Sequence, residues 1–151
     1  MPEIDPIVRL TAIEDIKQLK ARYFRCMDTK DYAGLRKVFA DDATFDAACS
    51  LSVEPAPDAE NWIHAGGDTI AAFVEAAVAP LCTVHHGHCH EIELMSENEA
   101  RGVIAMEDQI WDADGKPFLH GMGHYHETYR READGWKIVT SRISRLHVIL
   151  G

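Results

Sequence analysis

An α+β fold is predicted for this chain, with helices in its first half and a long antiparallel sheet in its second. Three observations carry the prediction. Apolar residues recur every three or four positions as far as Pro80, and beyond it the period changes to two. The alternating stretches are separated by Ser96-Glu97-Asn98-Glu99, Asp112-Ala113-Asp114-Gly115 and Asp134-Gly135, which are turn-forming clusters. Helices followed by a sheet, rather than alternating with strands, is the α+β order.

Thr11-Ala12-Ile13-Glu14 reads as a capping box that opens the first helix. Ile13, Ile16, Leu19, Tyr23 and Met27 then form one apolar stripe along it. Asp28-Thr29-Lys30-Asp31 breaks this helix, and Asp31 can cap a second one reaching about Phe39, with Leu35, Val38 and Phe39 inward. Ala43-Thr44-Phe45 reads as a short strand. From Ala47 to Ala65 the chain has small residues, two prolines and no period, which predicts a loop covering a pocket. Asp68 caps a third helix with Ile70, Phe73, Val74 and Ala77 inward, and Pro80 closes it. Segments near 82–95, 100–111, 117–132 and 135–149 are four long strands of a meander. A sheet of such strands must curl, and three helices laid across its concave face enclose one cavity.

The 151 residues make one domain, residues 1–151 with a core of about 11–149, large enough to fold without disulfide staples. Fifteen basic residues against twenty-five acidic ones give a formal net charge of −10, the opposite of a nucleic-acid groove. No stretch approaches the length that crosses a bilayer, and the N-terminus lacks a signal-peptide layout, so a cytoplasmic protein with no membrane or nucleic-acid partner is expected. Cys26, Cys49, Cys82 and Cys89 have no C-x-x-C spacing, which points to free thiols rather than a structural zinc site.

Ionisable side chains inside apolar rows are the candidates for chemistry, because burial moves their pKa values. Asp108 alternates with Ile104, Met106 and Ile110 on a strand face that otherwise reads as buried. The run His85-His86-Gly87-His88-Cys89-His90 puts His86, His88 and His90 on one face at strand spacing, a pattern that could present imidazoles to zinc. No closely spaced carboxylate motif accompanies them, so no metal and no cofactor is expected. On the third strand His120, His124 and His126 share one face and Tyr125 and Tyr129 the other, and either face could line the cavity. Tyr23 and Asp28 lie about 140° apart on a regular helix, so Asp28 turns inward only if the helix ends beside it.

Three blocks in this order resemble the bile-acid 7α-dehydratase branch of the SnoaL-like (nuclear-transport-factor-2-like) proteins, with scytalone dehydratase a more distant relative. They are Lys20-Ala21-Arg22-Tyr23-Phe24-Arg25-Cys26-Met27-Asp28, His85-x-Gly87-His88-x-x-Glu91-Ile92 and Glu107-Asp108. The resemblance implies a cone-shaped fold and places Tyr23, Asp28, His85, Asp108 and Arg145 at the active-site positions. In that reading Asp28 orients His85 as general base, Tyr23 donates to a carbonyl oxygen, and Asp108 pairs with Arg145 or transfers a proton. Where the branch has another tyrosine, on its first strand, this chain has Phe45-Asp46-Ala47. His86, His88, Met106, Tyr125 and Phe45 are the candidate substrate-contacting residues. Alternation puts His85 on the opposite side from His86 and His88 unless the strand bulges. The resemblance further implies a cofactor-independent lyase or related enolisation enzyme for a small hydrophobic cyclic ketone, steroid- or polyketide-like, working as a homodimer or homotrimer. A non-catalytic ligand-binding or dimerisation module on the same fold is the alternative.

Overall fold

The computed structural model describes residues 3–151. Helix α1 spans Pro6–Asp28 and begins well before the threonine expected to cap it. Asp5 is the true N-cap: its carboxylate accepts the N–H groups of Ile7 and Val8 at 2.7 and 3.3 Å, and Pro6 occupies a first-turn position that needs no N–H. Its buried face carries Ile16, Leu19, Lys20, Tyr23, Phe24 and Met27. The apolar stripe therefore contains one fully buried lysine. The helix ends at Asp28 because Lys30 adopts the left-handed conformation, with φ 63°, while the N–H groups of Thr29 and Asp31 return to the carbonyls of Arg25 and Cys26.

Asp31 caps helix α2, Tyr32–Val38, through the N–H of Gly34 at 2.9 Å, as its sequence predicts. Strand β1 runs Phe39–Asp46, longer than the three residues that looked extended. The covering segment is not wholly irregular: it ends in a 3-10 turn at Ala59–Trp62 and strand β2 at Ile63–Ala65, which pairs antiparallel with β1. Helix α3 is Gly67–Val78. Gly66, with φ 98°, is its N-cap, and Asp68 sits inside the first turn, where it accepts Arg36 Nε at 2.6 Å instead of capping.

Strands β3 (Cys82–Leu94), β4 (Glu99–Trp111), β5 (Pro117–Glu132) and β6 (Gly135–Leu150) form the expected antiparallel meander. The sheet order is β2-β1-β6-β5-β4-β3, with β1 parallel to β6, so the sheet is mixed. The three helices pack on it, and the curved sheet does not close into a barrel. Register shifts between Gly87 and His90, Met122 and Gly123, and Thr128 and Tyr129 break the ladders locally, and such bulges bend long strands. A glycine is required at position 123, where a Cβ would collide with the carbonyl oxygen of Ser144.

The shift in β3 decides which side chains meet the core. Gly87 pairs with Met106 but His90 pairs with Ile104, so β3 carries one extra residue there. Thr83 and His85 consequently share a face with Ile92 and Leu94, and His86 and His88 point the other way. In β5, Tyr125 and Tyr129 are buried at 1% and 2% exposure, which settles the open alternative in favour of the tyrosine face. Among the described residues, no helix is long and apolar enough to cross a membrane.

Candidate active site

Five elements meet around an internal cavity of about 290 Å³. Helix α1 brings Tyr23 and Met27 and stops at Asp28, β3 brings His85, and β4, β5 and β6 bring Asp108, Tyr125 and Arg145. Asp28 is held by three donors, all from β3. Its Oδ1 accepts the Thr83 hydroxyl at 2.9 Å and faces His85 Nδ1 at 2.7 Å, and its Oδ2 accepts the His85 backbone N–H at 2.8 Å. A carboxylate only accepts, so this geometry puts the imidazole proton on Nδ1 and leaves Nε2 as the basic nitrogen. Phe24 stacks on the imidazole, with planes 14° apart and centroids at 5.9 Å, and limits its rotation.

His85 Nε2 lies 3.7 Å from Asp108 Oδ2, beyond a hydrogen bond. Asp108 is instead occupied by Arg145 in a buried fork, Nη1 to Oδ1 at 2.6 Å and Nη2 to Oδ2 at 2.9 Å. Burial opposes the charge on Arg145, but the hydrogen bonds and charge of Asp108 outweigh it and hold the guanidinium pKa above its ordinary value. The same guanidinium donates to the carbonyl of Ser50, from Nε at 3.2 Å and Nη2 at 2.8 Å, and so ties the covering segment across the cavity. Gly121 permits this pair: a Cβ there would press on Arg145 Nη1 and Asp108 Oδ1.

Tyr23 and Tyr125 line the cavity with their rings edge to face at 5.8 Å. Burial pushes both phenol pKa values up, and each hydroxyl influences the other. Both therefore remain protonated donors at neutral pH. The remaining wall is apolar and includes Phe45, Leu51, Trp62, Phe73, Ile110 and Phe118.

Of the five residues placed by the resemblance, Tyr23, His85, Asp108 and Arg145 line this cavity, while Asp28 lies outside its lining and meets it through His85 Nδ1. Of the candidate contacts, Phe45 and Tyr125 line it, while Met106 is buried behind Arg145, whose Nη1 is 3.3 Å from its sulfur. His86 and His88 lie outside the cavity lining, and His88 Nε2 is 3.6 Å from Glu107, which also binds His120 Nε2 at 2.7 Å. Thr83, Phe24 and Ser50 were not anticipated. Thr83 had a usable signal, since it precedes His85 by two on the same strand face. Ser50 acts through its backbone, which no residue type announces.

The curved sheet and its helices thus define a small-cavity α+β protein with an Asp–His dyad, a buried Asp–Arg fork and two phenols at one end of an apolar chamber. The chain belongs to the SnoaL-like domain family, whose model matches residues 8–142. The probable cyclase FGR4 of Gibberella zeae is 26% identical over 139 residues, which cover 87% of this chain and 89% of that protein. Among solved structures, one provisionally assigned as a scytalone dehydratase from Novosphingobium aromaticivorans superposes with a TM-score of 0.84 at 18% identity, covering 97% of this chain and 92% of its own. A hexachlorocyclohexane dehydrochlorinase, LinA type 2, superposes with a TM-score of 0.80 at 15% identity, covering 97% and 93%. At these identities the structural likenesses establish the fold.

Proposed function

We propose that this protein is a cofactor-independent lyase that eliminates water from, or enolises, a neutral hydrophobic cyclic ketone of steroid- or polyketide-like character. The observation that carries the reading is His85 Nδ1 held at 2.7 Å by Asp28 while the imidazole lines an apolar cavity. His85 Nε2 takes the proton α to the carbonyl, and Asp28 stabilises the imidazolium that forms. Tyr23, kept protonated by burial, donates to the carbonyl oxygen as it gains enolate charge. The imidazolium then returns the proton to the departing β-hydroxyl, which leaves as water. Arg145 is the one Lys or Arg among the residues lining the cavity, and Asp108 already occupies it. A neutral ligand is therefore favoured over an anionic one. A volume near 290 Å³ is at the small end of ligand sites and suits a compact ring system over an extended chain. The relatives provisionally named a scytalone dehydratase, a dehydrochlorinase and a probable cyclase are consistent with lyase-type chemistry on rings.

A panel of β-hydroxy cyclic ketones followed by the ultraviolet absorbance of the conjugated enone tests this. Enone should grow with the wild type and not with Asp28→Asn. A ketone that binds the wild type and His85→Ala equally, with no chemical change in either, would instead identify a ligand-binding module.

The working form is proposed to be a homodimer or homotrimer. Leu146, Ile149 and Leu150 near the end of β6 are 70%, 50% and 63% exposed, apolar surface that a second copy could cover. Sedimentation equilibrium at micromolar concentration is expected to give two or three chain masses, and a monomer would refute this.

A further inference from the structure

Behind the cavity lies a buried charge that the proposed reaction does not use. Lys20 is fully buried, and its Nζ is 2.9 Å from Glu127 Oε2. Glu127 is anchored in turn by the Ser141 hydroxyl at 2.7 Å and the Tyr129 hydroxyl at 2.9 Å. Nothing else in the core needs an ammonium, and an apolar pair of similar volume would ordinarily be as stable. What distinguishes the position is its other contacts. The Lys20 Nζ sits 3.5 Å from the ring centroid of Tyr125 and 3.9 Å from that of Tyr23, with Phe24 at 5.0 Å. The first two rings line the cavity, and the third stacks on His85.

We infer that Lys20, anchored by Glu127, is a positioning residue for the site: its ammonium holds the rings of Tyr23 and Tyr125 in place and strengthens their hydroxyls as hydrogen-bond donors toward negative charge in the cavity. This deepens the proposed function and rests on its assignment of Tyr23 as the donor to an enolate. The physical reason is that a cation on the face of a phenol attracts its π-electrons and stabilises negative charge shared with its oxygen. Glu127 acts in the opposite sense on Tyr23. The pair is therefore a dipole, and its positive end is the one in contact with the rings.

The test needs no turnover. The probe is 4-nitrophenolate, an oxyanion mimic, and its neutral reference is 4-nitroanisole, both read by quenching of Trp fluorescence, since Trp62 lines the cavity. The ratio of the two affinities measures donor strength toward negative charge, which a purely structural lysine would not move. In the neutral double variant Lys20→Met/Glu127→Gln, the ratio should fall about tenfold, the scale of a desolvated cation–π contact. In a Tyr23→Phe/Tyr125→Phe background the same replacement should leave it unchanged. A second measurement requires no variant of the pair. Burial lowers the Lys20 pKa to about 8 against the opposing charge of Glu127, so in the wild type the ratio should fall as pH rises through about 8. The groups facing Lys20 are Glu127, Tyr23, Phe24 and Tyr125, with His90 nearby, and of these the phenols are held far above that range. A ratio insensitive to both the neutral pair and the pH, or binding of neither probe, overturns the inference. A preserved effect with no enone formed from any ketone would retain the positioning role and remove the lyase reading.

Discussion

Replacing His85 with alanine is expected to lower kcat on a hydroxy-ketone substrate by about 10²–10⁴, the usual worth of a positioned general acid–base. The whole proton path in the proposed reaction runs through Nε2. Asp28→Asn should lose a comparable factor by a different route. An amide offers one oxygen where the carboxylate now meets three donors, His85 Nδ1, the His85 backbone N–H and the Thr83 hydroxyl. If its NH₂ turns toward the imidazole, Nδ1 becomes the acceptor and the proton moves to Nε2, so the base is lost while the geometry survives. Thr83→Val should cost less than either, because it removes one donor and leaves the tautomer unchanged. Steady-state kinetics on each variant, with circular dichroism and a urea midpoint to confirm folding, makes the comparison. Undiminished turnover in both His85→Ala and Asp28→Asn would end the dyad assignment.

Lys20→Met is expected to destabilise the fold by about 3–5 kcal/mol, because it strands the Glu127 carboxylate in the core. The Ser141 and Tyr129 hydroxyls remain, but two neutral donors do not replace an ammonium. Adding Glu127→Gln removes the stranded charge, so the double variant should recover most of the loss. Urea unfolding of the wild type, the single and the double variant measures this, and a double variant as unstable as the single one would show that the charge is not the cause. The pair also gives a pH signature. Lys20 has a folded pKa of about 8 against an unfolded 10.5, so between these values the unfolded chain binds more protons. Its contribution to unfolding free energy therefore rises with pH across that window, the reverse of a lysine whose pKa is raised by a partner. The difference in stability between wild type and double variant should shift in that sense.

Much of this architecture was legible from local pattern. The change of period after Pro80, the turn clusters and the Asp31 cap each correspond to an element in place. Local rules failed where two signals competed. Thr11–Glu14 satisfies the capping-box spacing, but Asp5-Pro6 supplies a carboxylate cap and a residue that needs no donor, and the helix starts there. Asp68 looked like a cap and became the partner of Arg36, since Gly66 could take the backbone conformation that starts α3. Lys20 fell at a buried position of the α1 stripe, but its partner Glu127 is 107 residues away.

By itself, then, the sequence determined the α+β order and the four-strand meander, and its three blocks resembling SnoaL-like proteins pointed to the family. Those features reside in residue type and short-range spacing, which the linear chain carries in full. The tertiary structure alone decided how the residues face one another. The extra residue in β3 between Gly87 and His90 turned His85 inward together with Ile92 and Leu94. The end of α1 at Asp28 set that carboxylate against β3, and pairing of β5 with β6 placed Gly121 where Arg145 and Asp108 needed room. Strand register and the meeting of a helix end with a sheet depend on packing summed over the whole domain, so no local pattern encodes them.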